Sequence, residues 1–356
     1  MKKNLVRVFV LSLCLVLLLS LTACHRANER ALYINDEGFS AGYYSCALVF
    51  ADIEGQQKVY DTLGEKAAGD YLNQTLDGVD YKTWVKNRAI EKCKEAYAYR
   101  SVCEELMIDT EKYSQEYLET ADYYWDYSGY SEMMMENGVG RGTFRSFMGI
   151  DAYKASYFDY IYGEGGIKEI PAEEIITNLT ENYVIANVLS EDLTAKSEEE
   201  IKQIKEKLEG YAERIRNGEK FEKIYSEFNG TTYTENTENK SLFSYDLASV
   251  IGNEKTTFTD DNFNDVSAMK NGDIQIIEKV TEKGTENEKT TLYLFFKSDI
   301  LAEENTLLPD LKDAVRHSLK DEEFTSEMQA KMNMLTVKEM PKITKQFKVE
   351  KIKYPA

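Results

Sequence analysis

The stretch from Tyr183 to Phe296 constrains the fold of this chain more than any other, because strand, cap, helix and turn signals follow one another there without a gap. It opens on the apolar run Tyr183-Val184-Ile185-Ala186-Asn187-Val188-Leu189, which has the length of a strand. Ser197-Glu198-Glu199-Glu200 then fits a capping box, in which the serine oxygen and the third glutamate satisfy amide groups that the first helical turn leaves without partners. Ile201, Ile204, Leu208, Tyr211 and Ile215 recur at spacings of three and four, which places them on one buried helix face. Asn217-Gly218 closes that helix, since glycine reaches the left-handed conformation of a C-terminal cap. A second short helix carries Phe221, Ile224, Tyr225 and Phe228 and stops at Asn229-Gly230. Ile274 to Val280 and Leu292 to Phe296 read as closing strands, so a small α+β module is expected over residues 182–300.

The N-terminus carries a different kind of signal. Lys2, Lys3 and Arg7 precede an apolar run from Val8 to Leu19, the length of a secretory h-region and too short to span a bilayer. Leu21-Thr22-Ala23-Cys24 resembles a bacterial lipobox, which implies that residues 1–23 are a lipoprotein signal peptide and that Cys24 is lipidated. The competing reading is an ordinary signal peptide with an incidental cysteine. Two or more acyl chains would anchor stably where one would not, so the expected location is the extracytoplasmic face of the cell membrane. Losing residues 1–23 removes three of the 43 basic residues and none of the 63 acidic ones. So acidic a surface excludes nucleic acid as a partner, because binding phosphate requires clustered Lys and Arg. It is either a solvated surface or a bias toward basic clients. Of the remaining cysteines, Cys93 and Cys103 lie ten apart on one predicted helix, about 15 Å and too far for a bridge. Cys46 could pair with either, or all three could be free.

Residues 24–30 read as a tether and 31–181 as a helical region. Ala31-Leu32-Tyr33-Ile34 alternates like a strand, and Asn35-Asp36-Glu37-Gly38 signals a turn. Phe39, Tyr43, Cys46, Ala47 and Phe50 share a helix face that weakens at Glu54-Gly55. Residues 56–80 are poorly periodic and are expected as loop or loose helix. A long helix follows from Tyr81 to Met107, then one burying Tyr113, Tyr117, Ala121 and Tyr124. Met133-Met134-Met135 and the glycines at 138, 140 and 142 predict a flexible break; Phe144 to Ile161 predicts a helical pair, and Pro171 suits the first turn of the next helix. Residues 301–356 are expected as a long helix, with Val315, Phe324 and Met328 on its apolar positions, and a strand from Phe347 to Tyr354 that pairs with Leu32–Ile34.

The strand, long helix, "Asn-Gly-x-x-Phe" turn and short aromatic helix resemble the opening of a parvulin-type prolyl isomerase domain, and Phe263 with Met269-Lys270-Asn271-Gly272-Asp273-Ile274 resembles the approach to its closing strands. The wider order, with Gly149-Ile150-Asp151, Ile161-Tyr162-Gly163-Glu164-Gly165-Gly166 and Pro171-Ala172-Glu173-Glu174 ahead of the module, resembles the PrsA/SurA-type extracytoplasmic foldases. That resemblance implies an α+β chain, with a mostly helical lobe from both chain ends and a parvulin-like domain, that binds unfolded or newly secreted polypeptides.

Active parvulins carry two histidines, on the first and last strands. The matching positions here are Asn187 and Leu294, and the only histidines are His25, beside the lipobox, and His317, expected on the solvent side of the C-terminal helix. With His25 beside the lipobox and His317 expected on the solvent side of the C-terminal helix, no imidazole is expected inside the module to serve as the base of Ser-His-Asp or Cys-His chemistry. Asp260 to Asp265 lacks the glycine and closing glutamate of a calcium loop, and neither a metal site nor a cofactor is expected. What remains is binding. Tyr124, Trp125, Tyr127, Tyr130 and Met134, within a dense run that includes Tyr123 and Met135, form either a hairpin core or, where exposed, a capture surface for apolar chains. Phe243, Tyr245, Phe263 and Met269 make a second candidate surface in the module. Two alternatives stay open: an active isomerase with a divergent, histidine-free site, and a solute-binding lipoprotein of a transporter, which would need two similar lobes of alternating strands and helices.

Overall fold

A computed structural model describes residues 29–231, 248–252, 260–302 and 308–355. The fold is α+β and mostly helical, and it divides into two compact units. One is built from both chain ends, up to Glu169 and from Lys320 onward; the other runs from Ile170 to Leu319.

In the first unit, β1 (Arg30–Ile34) and β2 (Glu37–Ser40) form a hairpin across the Asn35-Asp36 turn. The expected turn is therefore followed by a short strand before the helix. Ser40 caps α1 (Ala41–Leu63), its side chain accepting the Tyr43 amide at 3.1 Å. Here the expectation for Glu54-Gly55 and residues 56–80 is corrected: the helix continues to Leu63, and a small hairpin, β3 (Thr75–Leu76) with β4 (Val79–Asp80), follows. Gly55 breaks the periodicity because α1 meets its neighbour there. A Cβ at that position would lie 3.0 Å from Tyr81 and 3.1 Å from the Trp84 ring, tighter than ordinary contact, so any larger residue would have to push those side chains aside.

The neighbour is α2 (Tyr81–Glu105), opened by Asp80, whose carboxylate accepts the Thr83 amide. α1 is apolar on two sides because it serves two clusters. One face joins Leu32, Ile34, Tyr81, Val85 and Ala89; the other joins Ala121, Trp125, Met134 and Phe144. The second cluster is supplied by α3 (Glu111–Tyr127), α4 (Tyr130–Glu136) and α5 (Arg141–Met148). The three methionines thus sit in a helix rather than a flexible break, since Met133 and Met134 find a core to fill. The burial expected on α3 shifts as well: Ala121 and Trp125 are buried, whereas Tyr124 is exposed. α6 (Ile150–Tyr162) completes the expected helical pair.

In the second unit, α7 (Ala172–Asn182) follows Pro171 as expected and leads directly into β5 (Tyr183–Asp192). The capping box of α8 (Glu198–Arg216) is present. Ser197 Oγ accepts the Glu200 amide, and Glu200 Oε2 accepts the Ser197 amide at 2.8 Å. Gly218, at φ 86°, takes the left-handed position beyond that helix. α9 (Phe221–Phe228), β6 (Ala248–Gly252), α10 (Asp260–Ala268), β7 (Ile274–Thr281) and β8 (Lys289–Ser298) follow. The strands form an antiparallel sheet of order β6-β5-β8-β7. Because the box satisfies two amides, Ser197→Ala is expected to destabilise the module by about 1 kcal/mol. Thermal denaturation followed by far-UV circular dichroism measures it, and an unchanged midpoint would show that the cap is dispensable.

The C-terminal helix α11 (Leu308–Asn333) crosses from one unit's residues to the other's, and β9 (Val337–Glu339) pairs antiparallel with β1, Leu32 opposite Glu339 and Ile34 opposite Val337. The chain end does return to β1, but not through Phe347–Tyr354. Asn35 fixes the register instead: its amide donates to the Thr336 carbonyl, while its side-chain oxygen accepts the Thr336 amide and hydroxyl. Pro341 then opens a single helical turn. Val349 is buried in a 3-10 turn.

Candidate functional site

Strand alternation gives the module's sheet two apolar faces. On one, Leu189, Leu292 and Leu294 pack with Leu208, Tyr211 and Ile215 of α8 and with Phe221 and Ile224 of α9. On the other, Val184, Ala186 and Phe295 pack with Met269 and with Val266 of α10; Val188, Ile277 and Tyr293 are half-buried there. Asn187 stands opposite Phe296, and Leu189 opposite Leu294. The two positions matched to parvulin histidines are therefore diagonal neighbours on adjacent strands, and alternation puts both on the α8 side. Leu294 is fully buried among aliphatic neighbours. This pair offers no proton acceptor or donor pair of matched acidity.

On the opposite face, Lys297 Nζ donates to the carbonyls of Ser267 and Met269 at 3.1 and 2.7 Å. Burial lowers the pKa of this lysine, with Asp273 pulling it back up. Its charge lies at the C-terminal end of α10, where a cation complements the exposed carbonyls of the helix. Met269 is buried in this arrangement, and Phe263 lies in α10. Phe243, Tyr245, Cys24 and His25 lie outside the described residues, and His317 is exposed.

The aromatic run of the helical unit divides sharply. Trp125 and Met134 are core, with Met134 receiving the Cys46 thiol at 4.0 Å and Trp125 tilted against Phe144 at 5.4 Å. Tyr130 is half-buried between Phe50 and Phe144. Tyr124, Tyr123 and Tyr127 are 38%, 59% and 78% exposed, and Met135 is 60% exposed. Ring contacts link them: Tyr130 to Tyr124 at 5.7 Å, Tyr124 to Tyr123 at 6.1 Å and Tyr123 to Tyr127 at 5.5 Å. The flank of α3 beside Tyr123 is held by Arg141, whose guanidinium donates to Asp122 and Asp126 at 2.8 to 3.1 Å.

Cys46, Cys93 and Cys103 are buried and free. Burial raises all three thiols, that of Cys103 to about 11, which leaves none of them a ready nucleophile. Among the described residues no three His, Cys, Asp or Glu side chains gather as metal ligands, and no helix is long and apolar enough to cross a membrane.

One buried group escaped the sequence reading. Asp52 is fully buried and is approached by Tyr81 Oη at 2.9 Å, Gln56 Nε2 at 3.0 Å and the Tyr354 hydroxyl. The available signal was an acidic residue inside the apolar stripe from Leu48 to Val59. Its partner Tyr354 is too distant in sequence for periodicity to reveal.

No protein-family model and no curated protein matches the chain. Solved structures do. The foldase protein PrsA from Lactococcus lactis is 13% identical over 90% of this chain and 99% of its own, with a TM-score of 0.38. PrsA from Streptococcus pneumoniae str. Canada MDR_19A is 11% identical over 69% and 82%, with a TM-score of 0.37. PrsA from Bacillus subtilis is 15% identical over 72% and 89%, with a TM-score of 0.35.

Proposed function

We propose that this chain is an extracytoplasmic chaperone of the foldase type, anchored to the membrane through lipid on Cys24, that holds unfolded or newly translocated polypeptides without isomerase chemistry. The observation that supports the reading is a strand-helix module in which the two positions that the sequence resemblance matches to parvulin histidines hold Asn187 and the fully buried Leu294. The exposed rings of α3 are the surface assigned to that binding, since tyrosine offers rigid amphipathic area to irregular partners. Many weak contacts and few fixed hydrogen bonds give broad specificity.

A proline-limited refolding assay tests this reading. Unfolded client is diluted into buffer with and without the chain, and both the slow refolding rate and light scattering are recorded. Stoichiometric suppression of aggregation with an unchanged slow phase is expected. Acceleration of that phase by substoichiometric protein would replace the binding reading with an active, histidine-free isomerase, because uncatalysed isomerisation takes tens to hundreds of seconds.

A further inference from the structure

The exposed rings of α3 do not stand alone. Glu116, Tyr123 and Tyr127 follow one another at spacings of seven and four, so they share a single helix face, and Glu119 lies on the same side. All four are exposed. From Glu116 to Tyr127 the stripe is about 16 Å long, the span of roughly five extended residues. The rings are also held in place. The chain of contacts from Tyr127 through Tyr123, Tyr124 and Tyr130 ends on Phe50, which stacks on Phe147 at 4.9 Å in the core. Rings braced in this way lose little freedom when a partner arrives.

Charge selects the partner. Residues 111–136 carry seven carboxylates and a single lysine, and that lysine, Lys112, is taken by Asp159. Arg141 and Arg145 pair with Asp122 and Asp126 along the flank of that face beside Glu119, while Glu116, Glu132 and Glu136 have no ion pair among the described residues. The exposed face therefore combines negative potential with tyrosine faces, which attract cations electrostatically. We propose that this tyrosine stripe binds extended polypeptide segments in which lysine or arginine alternates with apolar residues. The proposal rests on the polypeptide-holding function above and narrows its client class.

Fluorescence anisotropy on the full chain tests it. Three ten-residue labelled peptides are compared, with leucine alternating with arginine, serine or glutamate. The arginine peptide is expected to bind at least about tenfold more tightly than the serine peptide at low salt, the preference shrinking as salt screens the carboxylates. Tyr123→Ser/Tyr127→Ser, which leaves net charge unchanged, is expected to weaken arginine-peptide binding about fivefold or more. Circular dichroism on that variant confirms that these exposed changes leave the fold intact. Equal binding of the three peptides, or full retention of the preference in the variant, overturns the proposal. If aggregation is still suppressed in that case, the holding function stands and only the client class falls. If neither aggregation nor peptide binding responds, both fall.

Discussion

Replacing Phe324 by alanine is expected to destabilise the unit built from both chain ends by about 3–5 kcal/mol, the usual cost of deleting a buried aromatic side chain. Phe324 is 1% exposed and sits among four rings: Phe158 at 5.2 Å, Tyr157 at 5.6 Å, Tyr99 at 5.9 Å and Tyr162 at 6.4 Å. Those partners belong to α2 and α6, so one side chain from the C-terminal helix closes a core made by the N-terminal half. In a domain of this size the loss is roughly 10 °C in midpoint. Native-state hydrogen exchange locates it. Amides of α2 and α6 should lose protection while those of β5 and β8 keep theirs. A uniform loss across the chain would mean that the two units unfold as one, and no loss would mean that this core is not closed by α11.

The second large effect is expected at Asp52. Burial raises its pKa above 3.8, and the hydrogen bonds from Tyr354, Tyr81 and Gln56 only partly reverse this. The folded state therefore holds the proton more tightly than the unfolded chain. Its contribution to stability is fully present below the unfolded value and is lost as pH rises through the folded one. Asp52→Asn keeps the shape and removes the titration. The midpoint of the natural chain minus that of Asp52→Asn is expected to fall as pH rises from about 4 toward neutrality. Taking the difference cancels the other carboxylates. A flat or rising difference would show that the folded-state pKa of Asp52 is not raised. Asp52→Ala should cost about 1–3 kcal/mol at acid pH, because the Tyr81 and Tyr354 hydroxyls lose an acceptor, and, as for Asp52→Asn, the cost should shrink as pH rises.

Both effects arise from contacts between distant parts of the chain, and these were the contacts the sequence left open. The Asp52 to Tyr354 hydrogen bond spans 302 residues. A closing strand was legible at the C-terminus, but its placement at Phe347–Tyr354 followed alternation alone; the observed pairing depends on Asn35 reaching Thr336. Gly55 read as a helix end because glycine usually is one, yet here it makes room for Tyr81 and Trp84 from another helix. Phe243 and Tyr245 lie outside the described residues, and Met269 is core beside Lys297.

By itself the sequence determined the module's local grammar: the Ser197 capping box, the Asn217-Gly218 stop and the strand of Tyr183–Asp192. Each of these is settled within about one helical turn or one strand, where the hydrogen-bonding partners are sequence neighbours. Only the tertiary structure decided which aromatic rings became core and which faced solvent. Trp125 and Tyr127 are two residues apart and equally apolar in pattern, yet one is 8% and the other 78% exposed. The two positions project from opposite sides of α3, and only the packing of Phe144 and Met134 against one of those sides fixed which would be buried.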